Sequence, residues 1–165
     1  MTNLQTNFPG WRVLAHIEVD PLPDDWRAQL AARLGHRPRR IGAWTELAIH
    51  GARLCLDAAQ EDVLSPGAQL RVASLSGPKL ATHAIAAQAH ASVPMPFSFM
   101  QSQPSQMLAA LGQQLGWVGD ARFTVCRDRQ VLLQLAQLEA GPAGVLIGWV
   151  EEDLRTEWWR LAPHP

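Results

Sequence analysis

The sequence predicts an α/β protein whose mostly parallel mixed sheet is covered by helices. Two observations carry that reading: short runs of β-formers alternate along the chain with longer segments of helical apolar spacing, and proline or glycine punctuation separates nearly all of them. The length of 165 residues, 47% of them apolar, suits one domain spanning 1–165, large enough to bury a core without metal or disulfide support.

Trp11 to Val19, bounded by Pro9-Gly10 and Asp20-Pro21, reads as a first strand. The acidic pair Asp24-Asp25 opens a short helix, Trp26 to Leu34, that stops at Gly35. From Ala43 to Gln60, Trp44, Leu47, Ala48, Leu54, Cys55 and Ala58 recur at helical spacing, and Ser65-Pro66-Gly67 closes the segment. Gln69 to Leu75 is a strand. Ser76-Gly77-Pro78 then leads into an alanine-rich helix to about Ala91, which Pro94 and Pro96 forbid from continuing. Met95 to Met100, apolar but interrupted by proline, is expected to be an extended connection. Pro104 starts a helix whose stripe of Met107, Leu108, Leu111 and Leu115 ends at Gly116.

The last third reads as strand Ala121 to Cys126, helix Asp128 to Ala140, turn Gly141-Pro142 and strand Val145 to Val150, a unit that implies parallel neighbours joined by a right-handed crossover. Thr156 to Leu161 is a closing strand, or else Trp158-Trp159 is an exposed contact.

Charge is balanced, with 14 Lys plus Arg against 15 Asp plus Glu, and Lys79 is the single lysine. Arg33, Arg37, Arg39 and Arg40 form the one basic concentration, either a solvated loop or a patch that steers an acidic partner. A basic footprint is not sustained elsewhere, which disfavours nucleic acid. Cys55 and Cys126 lie far apart without metal-ligand spacing, so neither a zinc site nor a disulfide framework is expected, and no cofactor is called for. The N-terminus lacks a basic start and apolar run, and no stretch approaches the ~20 apolar residues of a membrane span; the expected location is the cytoplasm.

Five segments, taken in order, resemble the N-terminal half of a β-ketoacyl synthase, a thiolase-like family, and especially its chain-length-factor-like members beside aryl polyene and other type II synthases. They are the helix AWTELAIHGARLCLDAAQ, the strand and turn LRVASLSGPKLATHAI, the stretch MPFSFMQSQPSQMLAALGQQLGWVG with Phe97-Ser98-Phe99, Ser102 and Gly116 in matching places, the following strand ARFTV, and VLIGWVEE with its terminal acids. They cover about two-thirds of the chain. The resemblance implies half of a thiolase-like fold.

It also places Cys126, or in another alignment Thr124, at the position of the family's nucleophile, where a helix N-terminus would activate a thiol. The small residues expected next are replaced by Arg127, Asp128 and Arg129, which should obstruct an acyl chain. The family's two catalytic histidines belong to its C-terminal half, so no unaided condensing activity is expected. The implied role is a noncatalytic accessory subunit that pairs with a full-length ketosynthase as a heterodimer, approached by an acyl carrier protein. Phe97, Phe99, Met100, Met107 and Phe123 are candidates for the interface or an acyl tunnel, although such residues are more often ordinary core. Arg37, Arg39 and Arg40 are candidates for carrier-protein docking.

Two further readings stand beside this one. Cys126 would serve a thiol-dependent acyl transferase or hydrolase if His50, His83 or His90 supplied a base. His83 and His90 share a helical face, but a metal site would need further ligands that are not evident. Alternatively the chain is a structural or regulatory homodimer. Glu151-Glu152-Asp153 reads as a solvated strand end.

Overall fold

The computed structural model describes residues 9–93, 96–153 and 155–164. Residues 1–8, on which the reading of the N-terminus rests, and Met95 lie outside that set. The elements run β1 (Trp11–Val19), α1 (Trp26–Leu34), α2 (Ala43–Ala58), β2 (Gln69–Ser74), α3 (Lys79–His90), α4 (Pro96–Gln101), α5 (Pro104–Gln114), β3 (Ala121–Val125), α6 (Arg129–Glu139), β4 (Val145–Glu151) and β5 (Arg155–Pro163).

The strands form one mixed sheet in the order β1-β5-β4-β2-β3. β2 pairs in parallel with β3 and with β4, whereas β5 is antiparallel to both β4 and β1. Four strands therefore run the same way and β5 runs against them. The unit β3-α6-β4 does join parallel strands, but these are not neighbours: β2 lies between them. Sequence adjacency gives no sign of this, because the strand that separates β3 from β4 is β2, which precedes both in the chain.

The sheet is covered unequally. On one face α1, α2 and α5 build the larger core around Trp26, Leu47, Leu56, Met107, Leu111 and Trp158. On the other face α6 packs Leu132, Leu133 and Ala136 over Val145, Ile147, Trp149, Trp159 and Leu161. β4 is buried along its whole length because both layers cover it. Its continuous apolar run is what a strand buried on two faces requires.

Trp158 fixes the spacing of the larger layer. Its indole lies opposite Gly148 on β4, and a Cβ built on Gly148 would stand 2.5 Å from the ring. Gly51 of α2 faces the same ring from the other side, where a Cβ would collide with the indole nitrogen. The ring donates its N–H to Thr156 Oγ1 at 2.7 Å, so its one polar atom is satisfied without water. Trp44 ties α2 to β4 with a 3.0 Å hydrogen bond from its indole nitrogen to the Val150 carbonyl and meets Phe123 edge to face. Trp158-Trp159 is thus no exposed contact, as both rings are buried, one in each core.

Two buried arginines staple loops to the sheet. Arg71 of β2 donates to Glu139 at the end of α6, to the Asp120 carboxylate and to the carbonyls of Leu70 and Asp120. Arg160 of β5 binds both oxygens of Glu61 and the carbonyls of Leu161 and Ala143. A guanidinium is tolerated inside only when its N–H groups are matched in this way.

The segment expected to be extended, Met95 to Met100, contains the helix α4 from Pro96 onward. Proline at the first helical position lacks an N–H that would have found no partner there, so it starts a helix rather than preventing one. α3 and α4 contain no buried residue and pack chiefly on each other.

Substituting Gly148→Ala should destabilise the protein by about 1–3 kcal/mol by forcing Trp158 off its rotamer. Urea denaturation followed by circular dichroism measures this, and an unchanged midpoint would show that the indole can move aside at no cost.

Candidate functional site

Parallel strands leave their C-terminal ends on one edge, and in α/β sheets that edge is where loops gather binding groups. Here the ends of β2, β4 and β1 and the start of β5 surround a cleft of about 520 Å³, lined among others by Leu75, Ser76, Lys79, Arg127, Trp149, Glu151 and Glu157.

Glu151, at the end of β4, organises one wall. Its carboxylate accepts from the backbone N–H of Leu75 at 2.5 Å and of Ser76 at 3.1 Å, and from the hydroxyls of Ser76 at 2.5 Å and Ser74 at 3.1 Å. Ser74 in turn accepts from the Gly77 N–H at 2.8 Å. Glu152 accepts from the Leu80 N–H at 2.6 Å, at the start of α3. The expected solvated acidic terminus is therefore a latch: Glu151 is buried, and it and Glu152 hold the β2–α3 loop. The sequence signal was the Ser-x-Ser-Gly turn after β2, whose donors need an acceptor.

Glu157 of β5 organises the other wall. It is buried, accepts from Arg129 at the start of α6, and pairs with His16 Nε2 at 2.8 Å. The His16 ring stacks on Trp159 with centroids 5.1 Å apart. Burial pushes the Glu157 carboxyl upward, but the hydrogen bonds from His16 and Arg129 and their charges outweigh it and hold the group below the usual carboxylate range.

Cys126 sits between β3 and α6, half-buried, with its thiol donating to the Asp128 carbonyl at 3.1 Å. Asp128 caps α6, its carboxylate accepting from the Gln130 N–H at 2.8 Å. The helix N-terminus that would activate a thiol is thus already served by a side chain. Arg129 is turned to Glu157, and Arg127 lines the cleft. Thr124 is exposed on β3.

The three candidate bases lie elsewhere. His50 is buried in α2 against Trp26, its basicity lowered by burial and by the charge of Arg33. His83 and His90 are exposed on α3. Among the described residues no histidine hydrogen-bonds the thiol. No group of three His, Cys, Asp or Glu is placed to hold a metal ion among them either. No helix of the described residues is long and apolar enough to cross a membrane.

A different constellation is exposed at the β3 edge of the sheet. The Leu70 N–H donates to the Asp120 carbonyl and the Cys126 N–H to the Ser74 carbonyl, so even-numbered residues of this segment face β2. The backbone N–H and C=O groups of Ala121, Phe123 and Val125 consequently point to the edge that no other strand of the described residues pairs, because alternate residues of a strand face opposite neighbours. Val125 is 71% exposed and Val118, before the strand, 97%. Leu80 of α3 and Phe97, Phe99 and Met100 of α4 are exposed as well.

The other interface candidates are distributed differently. Phe123 is half-buried against Trp44. Met107 is fully buried between α5 and the rest of the larger core, which removes it from any surface. Arg37, Arg39 and Arg40 are exposed in the α1–α2 loop and form no ion pair among the described residues, while Arg33 is bound to Asp57 at 2.5 Å.

No protein-family profile and no curated protein matches the sequence. Among solved structures, one chain of the complex between the ketosynthase ApeO and its chain length factor ApeC from Xenorhabdus doucetiae matches with a TM-score of 0.63 at 14% identity. The match covers 94% of this chain and 79% of that one. AbyA1, a tetronic acid condensing enzyme, aligns with a TM-score of 0.48 at 14% identity, over 94% of this chain and 55% of its own. The first likeness shows the fold alone: this α/β chain folds like a chain of that complex.

The two thiols should separate cleanly. Burial, more than the neighbouring Glu61 and against the pull of Arg160, pushes the Cys55 thiol up to about 12, so in the native protein at pH ~8 only Cys126 should react with a thiol reagent. Cys126→Ser should abolish native labelling, and labelling of that variant before unfolding would show that the core opens. Rapid alkylation of Cys126 below pH ~7 would instead favour a nucleophilic role.

Acid should expose the Glu157 latch. A carboxyl held below its unfolded value contributes stability that is fully present above the ordinary carboxylate pKa of ~4.3 and is lost as pH falls below it through the folded value. Glu157→Gln should flatten that acid limb in urea midpoints recorded between pH ~6 and ~3. A limb as steep as that of the native protein would place the lost stability elsewhere.

Proposed function

We propose that this chain is a noncatalytic, chain-length-factor-like subunit that pairs with a full-length ketosynthase in type II fatty acid, aryl polyene or polyketide synthesis. Two observations carry the reading: among the described residues the β3 edge is paired with no further strand, and α3 and α4 are two helices without a buried residue. An unpaired strand edge with flanking apolar surface is a liability for a lone protein and an asset for one that adds its sheet to another.

Two further features support it. The solved chain of matching fold comes from a ketosynthase–chain length factor complex, and the coverage of 94% against 79% makes that chain only modestly longer than this one. The region around Cys126 is filled by charged groups: Asp128 caps α6, Arg129 is bound to Glu157, and Arg127 stands in the cleft. An acyl group seated on Cys126 would have to displace them, which suits a subunit that shapes a partner's chemistry and performs none. In this reading Phe97, Phe99, Met100 and Val125 contact the ketosynthase, Phe123 backs the joined strands, and Arg37, Arg39 and Arg40 receive an acidic acyl carrier protein in the cytoplasm.

Affinity capture of the tagged protein from its native cytosol, with mass spectrometry, should recover a full-length ketosynthase in equal amount. Val125→Lys and the pair Phe97→Asp and Phe99→Asp should each weaken that complex at least ~10-fold, about 1.4 kcal/mol. Charge reversal at Arg37, Arg39 and Arg40 should leave it intact and weaken carrier-protein binding. Undiminished ketosynthase affinity in both the β3 and the α4 variants, or recovery of the protein alone, would overturn the proposal.

A further inference from the structure

The first turn of α2 leaves backbone donors without an acceptor. Ala43, Trp44 and Thr45 open the helix, and none of their N–H groups finds a protein acceptor among the described residues; the first bond of this turn runs from the Glu46 N–H to the Gly42 carbonyl. Gly42 holds the capping position and has no side chain with which to accept from them. Trp44 and Thr45 are only 1% and 4% exposed, so these donors are not simply left to bulk water.

A cavity of about 220 Å³ opens at this point, between the α1–α2 loop, the end of α4 and one side of α5. Its wall carries Arg40, Thr45, Gln101, Gln106 and Gln113, and none of these five side chains is hydrogen-bonded or ion-paired among the described residues. A helical threonine commonly returns its hydroxyl to the carbonyl four residues back, as Thr82 does to Pro78 at 3.0 Å. Buried Thr45 does not, and it faces the cavity. Arg40 reaches the same wall from a left-handed backbone, φ 63°, a conformation that glycine adopts freely and arginine does not. No carboxylate lines the cavity, and the acid of the first turn, Glu46, is turned to Arg27 at 2.8 Å.

A guanidinium, a hydroxyl, side-chain amides and the positive end of a helix dipole therefore converge where no acid competes for them, which is the donor set of an oxyanion site. The number and spread of donors suit phosphate better than carboxylate, since a phosphate monoester brings three acceptor oxygens and up to two negative charges. Ile41, Met100 and Ala109 give the cavity an apolar side for the organic remainder, which must be small, because sites for drug-sized ligands span ~300–1,000 Å³.

We propose that the start of α2 binds the phosphate group of a small phosphomonoester, with Arg40, the Thr45 hydroxyl and the first-turn N–H groups as donors. Met100 and Gln101 of α4 form part of the wall, so the bound ligand also ties to the body of the protein a helix that has no buried residue of its own. The site is separate from the β3 edge and does not rest on the assignment of a ketosynthase partner.

The test uses the full chain, ¹⁵N-labelled and titrated at pH ~7.5, above the second phosphate pKa of ~6, with inorganic phosphate and with phenyl phosphate. The amides of Ala43, Trp44 and Thr45 should shift most, and phenyl phosphate should bind more tightly than phosphate. Arg40→Gln and Thr45→Val should each weaken binding at least ~10-fold. Arg12→Gln, the same loss of charge on β1, should leave it unchanged. Gly42→Asp gives α2 a cap of its own, so it should raise the urea midpoint and abolish binding, which separates occupation of the site from loss of the fold. Absence of shifts at the start of α2, an equal loss in Arg12→Gln, or undiminished binding in Gly42→Asp would overturn the proposal. Ketosynthase capture is read separately, and the failure of either reading leaves the other standing.

Discussion

The indole of Trp158 sets the geometry on which the rest of the molecule depends. It stands between Gly148 of β4 and Gly51 of α2, two positions at which any side chain would collide with it. The absence of a Cβ on both sides lets α2 approach the sheet to the thickness of one ring, and the hydrogen bond to Thr156 Oγ1 keeps that ring from rotating. With α2 so placed, Trp44 reaches the Val150 carbonyl and Phe123, and α5 closes over both through Met107 and Leu111. A chain of 165 residues thereby concentrates most of its apolar burial on one face of its sheet.

What that arrangement leaves uncovered is the origin of the proposed function. Among the described residues the opposite face has one helix, the β3 edge has backbone groups that no other strand pairs, and the α3–α4 pair holds its apolar residues in solvent. The cleft at the C-terminal edge is closed off by a different means, ion pairs and a carboxylate latch, in which Glu151 and Glu157 neutralise the donors of the surrounding loops. The chain thus spends its polar chemistry on holding loops and offers its apolar surface outward. That division is expected of a subunit whose work is done through contact.

Much of the fold was legible because periodicity and punctuation agreed. β1 and α1 have the boundaries that their flanking Pro, Gly and Asp residues suggest, and α6, read from Asp128 to Ala140, runs from Arg129 to Glu139 with Asp128 as its cap. The departures each have a physical cause. Pro96 was read as a breaker although it occupies the one helical position where proline is harmless. Trp158 and Trp159 were ambiguous because only the glycines opposite, 10 residues earlier in β4 and over 100 earlier in α2, reveal that a ring is accommodated there. Glu151 was hidden by its exposed-looking company, since nothing local shows that four donors from the β2–α3 loop converge on it. Strand order was beyond reach, as β2 separates β3 from β4 through pairings distant in sequence. Met107 and Phe97 look alike as apolar residues, yet one lies at the centre of the core and the other in solvent, a difference that depends on which helix has a neighbour.

The central claim is that the β3 edge is completed by a ketosynthase, and amide hydrogen exchange at single-residue resolution addresses it most directly. In the free protein the N–H groups of Phe123 and Val125, which face the open edge, should exchange orders of magnitude faster than those of Arg122 and Thr124, which face β2. Saturating ketosynthase should slow Phe123 and Val125 to the rate of their neighbours. Exchange at these two amides that is unchanged by a bound ketosynthase would contradict the account, because the partner would then be held somewhere other than the strand edge.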